Sequence, residues 1–214
     1  MTSADGLAGA SLLFVCTGNL CRSAAADRML TAWAMRSGRS VAVRSAGTLA
    51  RPGRPIHPST ARALRAHGVS GDGFTSHRLS EDDVDWADLV LTMTAEHREE
   101  VVALNPRAMQ KCFTVLEAAA LSRAVVEQQL RLASGRRGPA VAAAWRETRL
   151  RFARPLGPDF DVVDPIDEPE DLHADVVDQI AVALGYITPL LEEDREQGAP
   201  TVRMPRLPPV PRAA

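Results

Sequence analysis

The sequence has little cysteine, tyrosine and lysine, and it has no long hydrophobic run. Its 214 residues include 3 cysteines, too few for a disulfide scaffold in a chain of this length and typical of a reducing compartment. The apolar run at 12–15 is far too short to span a membrane, and residues 1–10 lack the basic start of a signal peptide. We therefore expect a cytoplasmic protein with no membrane partner.

The chain has a nearly neutral net charge and the length of one domain with a substantial core. A formal net charge of −2 does not favour a nucleic-acid partner. We expect a flexible lead-in at 1–10, one domain at 11–195 with a helical insertion at 116–153, and a disordered, proline-rich tail at 196–214. The tail either has no function or binds a protein that recognises proline-rich peptides.

Strand and helix patterns alternate along the first half of the chain. Apolar runs predict strands at 11–15, 40–44, 88–93 and 111–115. Apolar residues at helical spacing predict helices at 23–37, 59–67 and 95–104, two more in the insertion, and a last one at 170–193. The alternation predicts an α/β fold of three layers, with helices on both faces of a four-stranded parallel sheet.

One loop after the first strand carries reactive side chains. Cys16 ends the strand, five residues separate it from Arg22, and Ser23 is predicted to cap the next helix. Such a loop turns backbone N–H groups inward and adds the positive end of the helix dipole, which favours a bound anion and a thiolate. Arg22 can donate to two phosphate oxygens at once. We therefore predict a cysteine nucleophile in a cradle for a tetrahedral oxyanion.

The stretch Val15-Cys16-Thr17-Gly18-Asn19-Leu20-Cys21-Arg22-Ser23 resembles the phosphate-binding loop of the low-molecular-weight protein tyrosine phosphatases. That family includes the thioredoxin-coupled arsenate reductases. The resemblance implies a sheet in the order 2-1-3-4 and a phosphatase domain at 11–195. It also implies hydrolysis of a phosphomonoester, in a phosphorylated protein or a small molecule, through a phosphocysteine and without metal or cofactor. In this family the phosphate is bound by the positions of Thr17, Gly18, Asn19, Leu20, Cys21, Arg22 and Ser23.

The leaving oxygen needs a proton, and Asp164 is the predicted general acid. The pair Asp164-Pro165 resembles the Asp-Pro loop of the family and lies at the matching distance from the last helix. The nearby acids Asp159, Asp161 and Asp167 are the alternatives. The same carboxylate would then activate the water that hydrolyses the phosphocysteine.

Three residues, Asn19, Ser45 and His77, resemble the network that braces the phosphate loop in this family. Asn tolerates the left-handed backbone that a tight loop needs, and its side chain would be held by Ser45 and His77. The remaining histidines have no metal-ligand spacing, and we predict no metal site for them: His57, His67, His97 and His173.

Two residues of the loop have open roles. Ser23 either only caps the helix or also donates its hydroxyl to the sulfur of Cys16. In this family a cysteine at the position of Cys21 can form a reversible disulfide with the nucleophile. The alternative is that Cys21 only packs against the helix.

The sequence departs from the family where phosphotyrosine specificity is concerned. Ile166, Asp167 and Glu168 follow the Asp-Pro pair, where many relatives have an aromatic residue, and 51–55 has none either. An aromatic wall could then come only from Trp145 or Phe152 of the insertion. The arginines of the insertion either form a solvated face or orient an acidic phosphosubstrate.

Two other functions use the same loop. An arsenate reductase of this fold needs two further cysteines on a mobile segment, but only Cys112 remains, in a predicted strand. A phosphopeptide-binding protein without turnover would not need the combination of Cys16, Arg22 and Asp164. Phosphatase activity, with phosphotyrosine as substrate, is therefore the leading prediction.

Overall fold

The computed structural model of the protein describes residues 9–151 and 160–192. The predicted tail at 196–214 and residues 1–8 of the predicted lead-in lie outside the described residues. Four parallel strands form one sheet in the order β2-β1-β3-β4, which confirms the predicted order. The strands are β1 (Ala10–Cys16), β2 (Val41–Gly47), β3 (Leu89–Thr92) and β4 (Cys112–Thr114).

Helices cover both faces of this sheet. They are α1 (Arg22–Ser37), α2 (Pro58–Ala66), α3 (Glu81–Trp86), α4 (Ala95–Leu104), α5 (Val115–Glu127), α6 (Arg137–Arg151) and α7 (Glu170–Leu191). A short 3-10 helix, Pro106–Gln110, precedes β4. The three-layer α/β fold predicted from the alternating pattern is therefore confirmed.

Strand β1 lies in the middle of two cores because its successive side chains point to opposite faces of the sheet. Leu12 and Phe14 pack in a core with residues of α1, α5, α6 and α7. Leu13 and Val15 pack on the other face, in a core with residues of α3 and α4. All seven residues of the strand are buried, which explains its uniformly apolar sequence.

Local signals set most of the helix ends. Gly38 ends α1 in the left-handed conformation, with φ 65. Ser80 begins α3 with a capping box, and the side chain of Thr94 caps α4. The cap predicted at Ser23 is wrong, because α1 begins at Arg22 and Cys21 occupies the N-cap position without a side-chain cap.

The predicted insertion is part of the core. Trp145 of α6 is fully buried, meets Phe113 of β4 edge to face at 5.2 Å, and donates to Ser122 Oγ at 3.1 Å. Gly138 packs so closely that a Cβ there would lie 2.5 Å from Cβ of Asp88. Trp145 therefore cannot form the aromatic wall considered above, and Phe152 lies outside the described residues.

Arginines of the insertion bind the protein itself. Arg149 forms an ion pair with the buried Glu117 of α5, with Nε 2.6 Å from Oε1, and its guanidinium lies over the ring of Phe113. Arg146 donates to the carbonyl of Gln110, and Arg136 pairs with Asp88. Composition alone predicts that these arginines form a solvated face. In the structure, each of the three has a partner within the protein.

Helix α7 is, among the described helices, the one long and apolar enough to cross a membrane by length and composition. Its apolar side chains, such as Ile180 and Ile187, are buried against the other helices of the core. A core helix satisfies the same criterion, so this is weak evidence for a membrane span.

Removing the indole of Trp145 should test whether α6 is part of the core. We expect Trp145→Ala to lower the free energy of unfolding by about 3–5 kcal/mol, because a large buried side chain leaves a cavity. Leu150→Ala, on the same helix but with Leu150 87% exposed, should change it by less than about 0.5 kcal/mol. Urea unfolding followed by circular dichroism measures both. Equal, small losses of unfolding free energy in the two variants would show that α6 packs loosely.

Candidate active site

The loop between β1 and α1 is held in a tight turn by Asn19. Asn19 has φ 53, a left-handed conformation that Asn tolerates better than most residues. Its side chain is fully buried, donates to Ser23 Oγ at 2.9 Å and accepts from the backbone N–H of His77 at 2.8 Å. The loop is therefore fixed by a buried amide that bridges its own end and a distant segment.

Cys16 and Ser23 face each other across this loop. Cys16 Sγ lies 2.9 Å from Ser23 Oγ, and both residues are buried. Because the amide of Asn19 donates to the same hydroxyl, the proton of Ser23 can be donated to the sulfur or to the carbonyl of Ala46, 3.4 Å away. A hydroxyl donor in this position stabilises a thiolate, which matches the second role considered for Ser23.

The bracing network differs in two details from the predicted one. Ser45 does not reach Asn19, because its hydroxyl donates to Asp27 Oδ2 at 2.8 Å. His77 does brace Asn19, but through its backbone; its ring lies 2.9 Å from Asp83 Oδ2. The prediction for Ser45 is corrected accordingly.

The segment after β2 supports the loop through its backbone, a contribution that the sequence analysis missed. Thr48 and Leu49 donate their N–H groups to the carbonyls of Cys16 and Thr17, both at 2.9 Å. A Cβ on Gly47 would lie 2.5 Å from the carbonyl oxygen of Thr17, so no side chain fits there. Gly47, three residues after the strand predicted at 40–44, was the available signal.

Arg22 connects the loop to the predicted general acid. Its side chain is buried; Nη1 donates to the carbonyl of Val162 at 3.0 Å and Nη2 forms an ion pair with Asp164 Oδ2. Its buried Nε has no hydrogen-bond acceptor in the described part of the chain. A tetrahedral anion above Cys16 would supply such an acceptor.

The geometry favours Asp164 over the other acids of its loop. Asp161 is already engaged, because its Oδ1 accepts from the N–H of Ala95 at the start of α4 at 2.7 Å. Asp167 is exposed, and Asp159 lies outside the described residues. Asp164, with 40% of its side chain exposed, is the carboxylate that contacts Arg22 and remains accessible from solvent.

His97 is a site residue that the sequence analysis did not identify. Its Nε2 lies 2.9 Å from Thr17 Oγ1 in the loop, and its Nδ1 lies 2.8 Å from Thr94 Oγ1. Burial, and then the charge of Arg22, lower the pKa of His97 to about 4. The ring is therefore neutral at pH 7 and holds Thr17 without adding charge to the pocket.

Comparison with known proteins identifies the family. A family profile described as low molecular weight phosphotyrosine protein phosphatase matches residues 11–125, more than half of the chain. The chain belongs to this family. The matched region includes the loop with Cys16 and Arg22 but ends before Asp164, so the role of Asp164 rests on geometry.

Named relatives support phosphatase activity. A protein-arginine-phosphatase of Bacillus subtilis (strain 168) is 38% identical over 106 residues, which cover 50% of this chain and 70% of that protein. The low molecular weight protein-tyrosine-phosphatase Etp of Escherichia coli (strain K12) is 35% identical over 101 residues, covering 47% and 66%. The crystal structure of a YwlE mutant from Bacillus subtilis has a TM-score of 0.62 and 27% identity, covering 86% of this chain and 99% of that chain.

The phosphatase has exposed aliphatic residues in segments that are hydrogen-bonded to the site. Leu49 is 61% exposed, Val163 is 60% exposed and Ile166 is 36% exposed. Each belongs to a segment bonded to the site: Leu49 donates to Thr17, Val163 lies between Val162 and Asp164, and Ile166 donates to Asp164 Oδ1 at 3.3 Å. We call Leu49, Val163 and Ile166 the aliphatic rim.

The other two cysteines of the phosphatase are buried and free. Burial raises the pKa of Cys21 and that of Cys112 to about 12. Cys112 lies in β4 and is 1% exposed, which places it poorly for the mobile relay that an arsenate reductase needs. The disulfide between Cys21 and Cys16 stays a prediction. Cys21 also lies beside two histidines, His57 and His173, which together could hold a metal ion.

Acid should destabilise the phosphatase through His97. The unfolded state takes up a proton near pH 6.5 and the folded state only near pH 4, so stability falls as the pH is lowered between these values. His97→Gln, which cannot titrate, should lose this part of the acid dependence. Urea unfolding at several pH values gives the free energy of unfolding of the variant and of wild type. The difference between the two should be constant above pH 6.5. A difference that does not change between pH 6.5 and 4 would contradict the assignment.

Proposed function

We propose that this phosphatase hydrolyses phosphotyrosine in proteins through a phosphocysteine on Cys16. The observation that carries the proposal is the convergence of Cys16, Arg22 and Asp164 at the carboxyl end of β1. In parallel α/β sheets this edge is where ligands bind. Phosphoryl transfer depends mainly on positioning and on stabilisation of charge, and this site supplies both.

The first step transfers the phosphoryl group to the enzyme. The sulfur of Cys16 attacks phosphorus and forms the S–P bond while the P–O bond to the leaving group breaks. Arg22 and the backbone N–H groups of the loop bind the equatorial oxygens. Asp164, carrying a proton, donates it to the leaving oxygen. The contact between Asp164 and Arg22 supports the location of this acid, because it holds the carboxyl group beside the phosphate-binding guanidinium. The carboxyl group can carry the proton once the bound phosphate replaces it as the partner of Arg22.

The second step releases phosphate. Asp164, now ionised, takes a proton from water, whose oxygen attacks phosphorus as the S–P bond breaks. Ser23 donates to the departing sulfur, a role supported by the 2.9 Å contact between Oγ and Sγ. The carboxyl group is thereby protonated again and the thiolate is restored.

The aliphatic rim favours an aryl leaving group. Exposed Leu49, Val163 and Ile166 can cover a phenyl ring, which takes the place of the aromatic slot that this sequence lacks. Phosphoarginine is the second candidate, because the Bacillus subtilis relative is named a protein-arginine-phosphatase. A charged guanidinium gains less than a phenyl ring from apolar contacts. We also propose a cytoplasmic location, which the free cysteines support.

Substitution of Cys16 and Asp164 tests the mechanism. Cys16→Ser should abolish hydrolysis of p-nitrophenyl phosphate, and Cys112→Ser, in a buried cysteine outside the site, should retain it. Asp164→Ala should lower kcat by about 10²–10⁴-fold, more for poor leaving groups than for good ones. Acid-quenched Asp164→Ala incubated with p-nitrophenyl phosphate should carry phosphate on Cys16 by mass spectrometry. Turnover by Cys16→Ser, or phosphate on another residue, would refute the phosphocysteine.

Paired phosphopeptides test the substrate class. We expect kcat/KM to be higher for a phosphotyrosyl peptide than for a phosphoarginyl peptide of the same flanking sequence. Val163→Ser should lower kcat/KM for the phosphotyrosyl peptide by about tenfold, because apolar contact with the ring is lost. Leu150→Ser, exposed on α6, is the matched control. A preference for phosphoarginine would overturn the substrate assignment while leaving the mechanism intact.

A further inference from the structure

We propose that Cys21, His57 and His173 form a binding site for Zn²⁺ behind the phosphate loop. Each residue offers one ligand atom, and these atoms all lie within 4.8 Å of one another. The proposal concerns metal binding alone and does not depend on the proposed substrate or mechanism. It reverses the sequence-based prediction that these histidines bind no metal.

The three residues belong to the starts of three helices. Cys21 is the N-cap of α1, His57 is the N-cap of α2, and His173 lies in the first turns of α7. Cys21 and His173 are buried and His57 is half-buried, so the site is enclosed by protein on most sides. Bond lengths of about 2.0–2.3 Å from zinc to nitrogen and sulfur place tetrahedral ligands about 3.3–3.8 Å apart. The ligand atoms, all within 4.8 Å of one another, are therefore at most about 1.5 Å farther apart than in a closed tetrahedral site.

Two ring nitrogens at the site have no partner. His173 is fully buried, and its Nδ1 lies 2.8 Å from Thr60 Oγ1. Its Nε2, and Nδ1 of His57, are buried without a hydrogen-bond partner among the described residues. Leaving a buried polar atom unpaired costs about 1–3 kcal/mol. A metal ion would satisfy these nitrogens.

The contact between Thr60 and His173 is compatible with the tautomer that a metal needs. If Nδ1 of His173 donates to Thr60 Oγ1, the Nε2 lone pair is free to coordinate, and the ring is held by a partner outside the coordination shell. This is the arrangement that histidine ligands of zinc usually show.

One side chain must move for coordination. The rings of His57 and His173 are stacked, with centroids 4.5 Å apart and planes 7° apart, so their lone pairs are parallel. One ion cannot lie in both ring planes. His57, which is half-buried, has the freedom to rotate, whereas His173 is fully buried and held by Thr60.

The donor set selects zinc. One thiolate and two imidazoles are the borderline-soft ligands that Zn²⁺ prefers, and three protein ligands leave a fourth position for water. Binding forms the Zn–S bond and releases the thiol proton of Cys21 to solvent. The bound ion would join α1, α2 and α7 and would engage the sulfur of Cys21, which could then no longer pair with Cys16.

Cobalt substitution tests the site in the full-length protein. All variants carry Cys16→Ser, so that the nucleophile cannot bind metal. Titration of this protein with Co²⁺ should give one bound ion per chain, with a thiolate-to-cobalt charge-transfer band and the visible bands of tetrahedral cobalt, and Zn²⁺ should displace it. Adding Cys21→Ser should abolish the charge-transfer band. Adding His57→Ala, at a half-buried position, should raise the Kd at least about tenfold.

Matched variants separate this site from other metal binding. Adding Cys112→Ser controls for the other buried cysteine, and adding His67→Ala controls for a surface histidine on α2; both should leave the band and Kd unchanged. Thr60→Val should raise the Kd by about 10–100-fold, because it removes the hydrogen bond that orients His173. Absence of the band, its persistence with Cys21→Ser, or an unchanged Kd with His57→Ala would each overturn the proposal.

Discussion

The buried amide of Asn19 is the contact on which the geometry of the phosphate loop depends. A left-handed residue costs about 1–2 kcal/mol for most side chains, and Asn reduces that cost by bonding locally. Here the amide donates to Ser23 and accepts from the backbone of His77, which lies 58 positions away in the chain. The bond to Ser23 orients the hydroxyl that contacts the sulfur of Cys16. The conformation of one residue thus orients the hydroxyl group that faces Cys16.

The rest of the site is divided between reactive and supporting segments. The loop after β1 supplies Cys16 and Arg22, and Asp164 approaches from the segment before α7. Support comes from the segment after β2, where Gly47 has no room for a Cβ and neighbouring N–H groups bind the loop carbonyls. Gly47 must therefore remain small. Thr48 and Leu49 support the loop through their backbone N–H groups, so these hydrogen bonds do not depend on their side chains. Leu49 can therefore contribute to both loop support and the aliphatic rim.

The sequence was sufficient for features set by short-range patterns. The apolar β1, the caps at Ser80 and Thr94, and Gly38 follow local rules, and the parallel sheet follows from their alternation. Partners chosen by tertiary packing could not be read in this way. Ser45 bonds Asp27 instead of Asn19, and His97 reaches the loop from the start of α4. The charge composition of the insertion could not show that Arg149 pairs with Glu117, because the buried Glu117 comes from another helix.

The architecture explains why the phosphate loop and the cluster of Cys21, His57 and His173 adjoin each other. A parallel sheet gathers the starts of several helices at the carboxyl edge of its strands, so Cys21, His57 and His173 meet although up to 152 positions separate them. The positive ends of these helices favour phosphate and oppose a cation. A neutral set of three ligands would leave that opposition uncompensated. In the proposed zinc site, the thiolate of Cys21 would offset one positive charge, so the cysteine would contribute more than either histidine to overcoming the opposing helix dipoles.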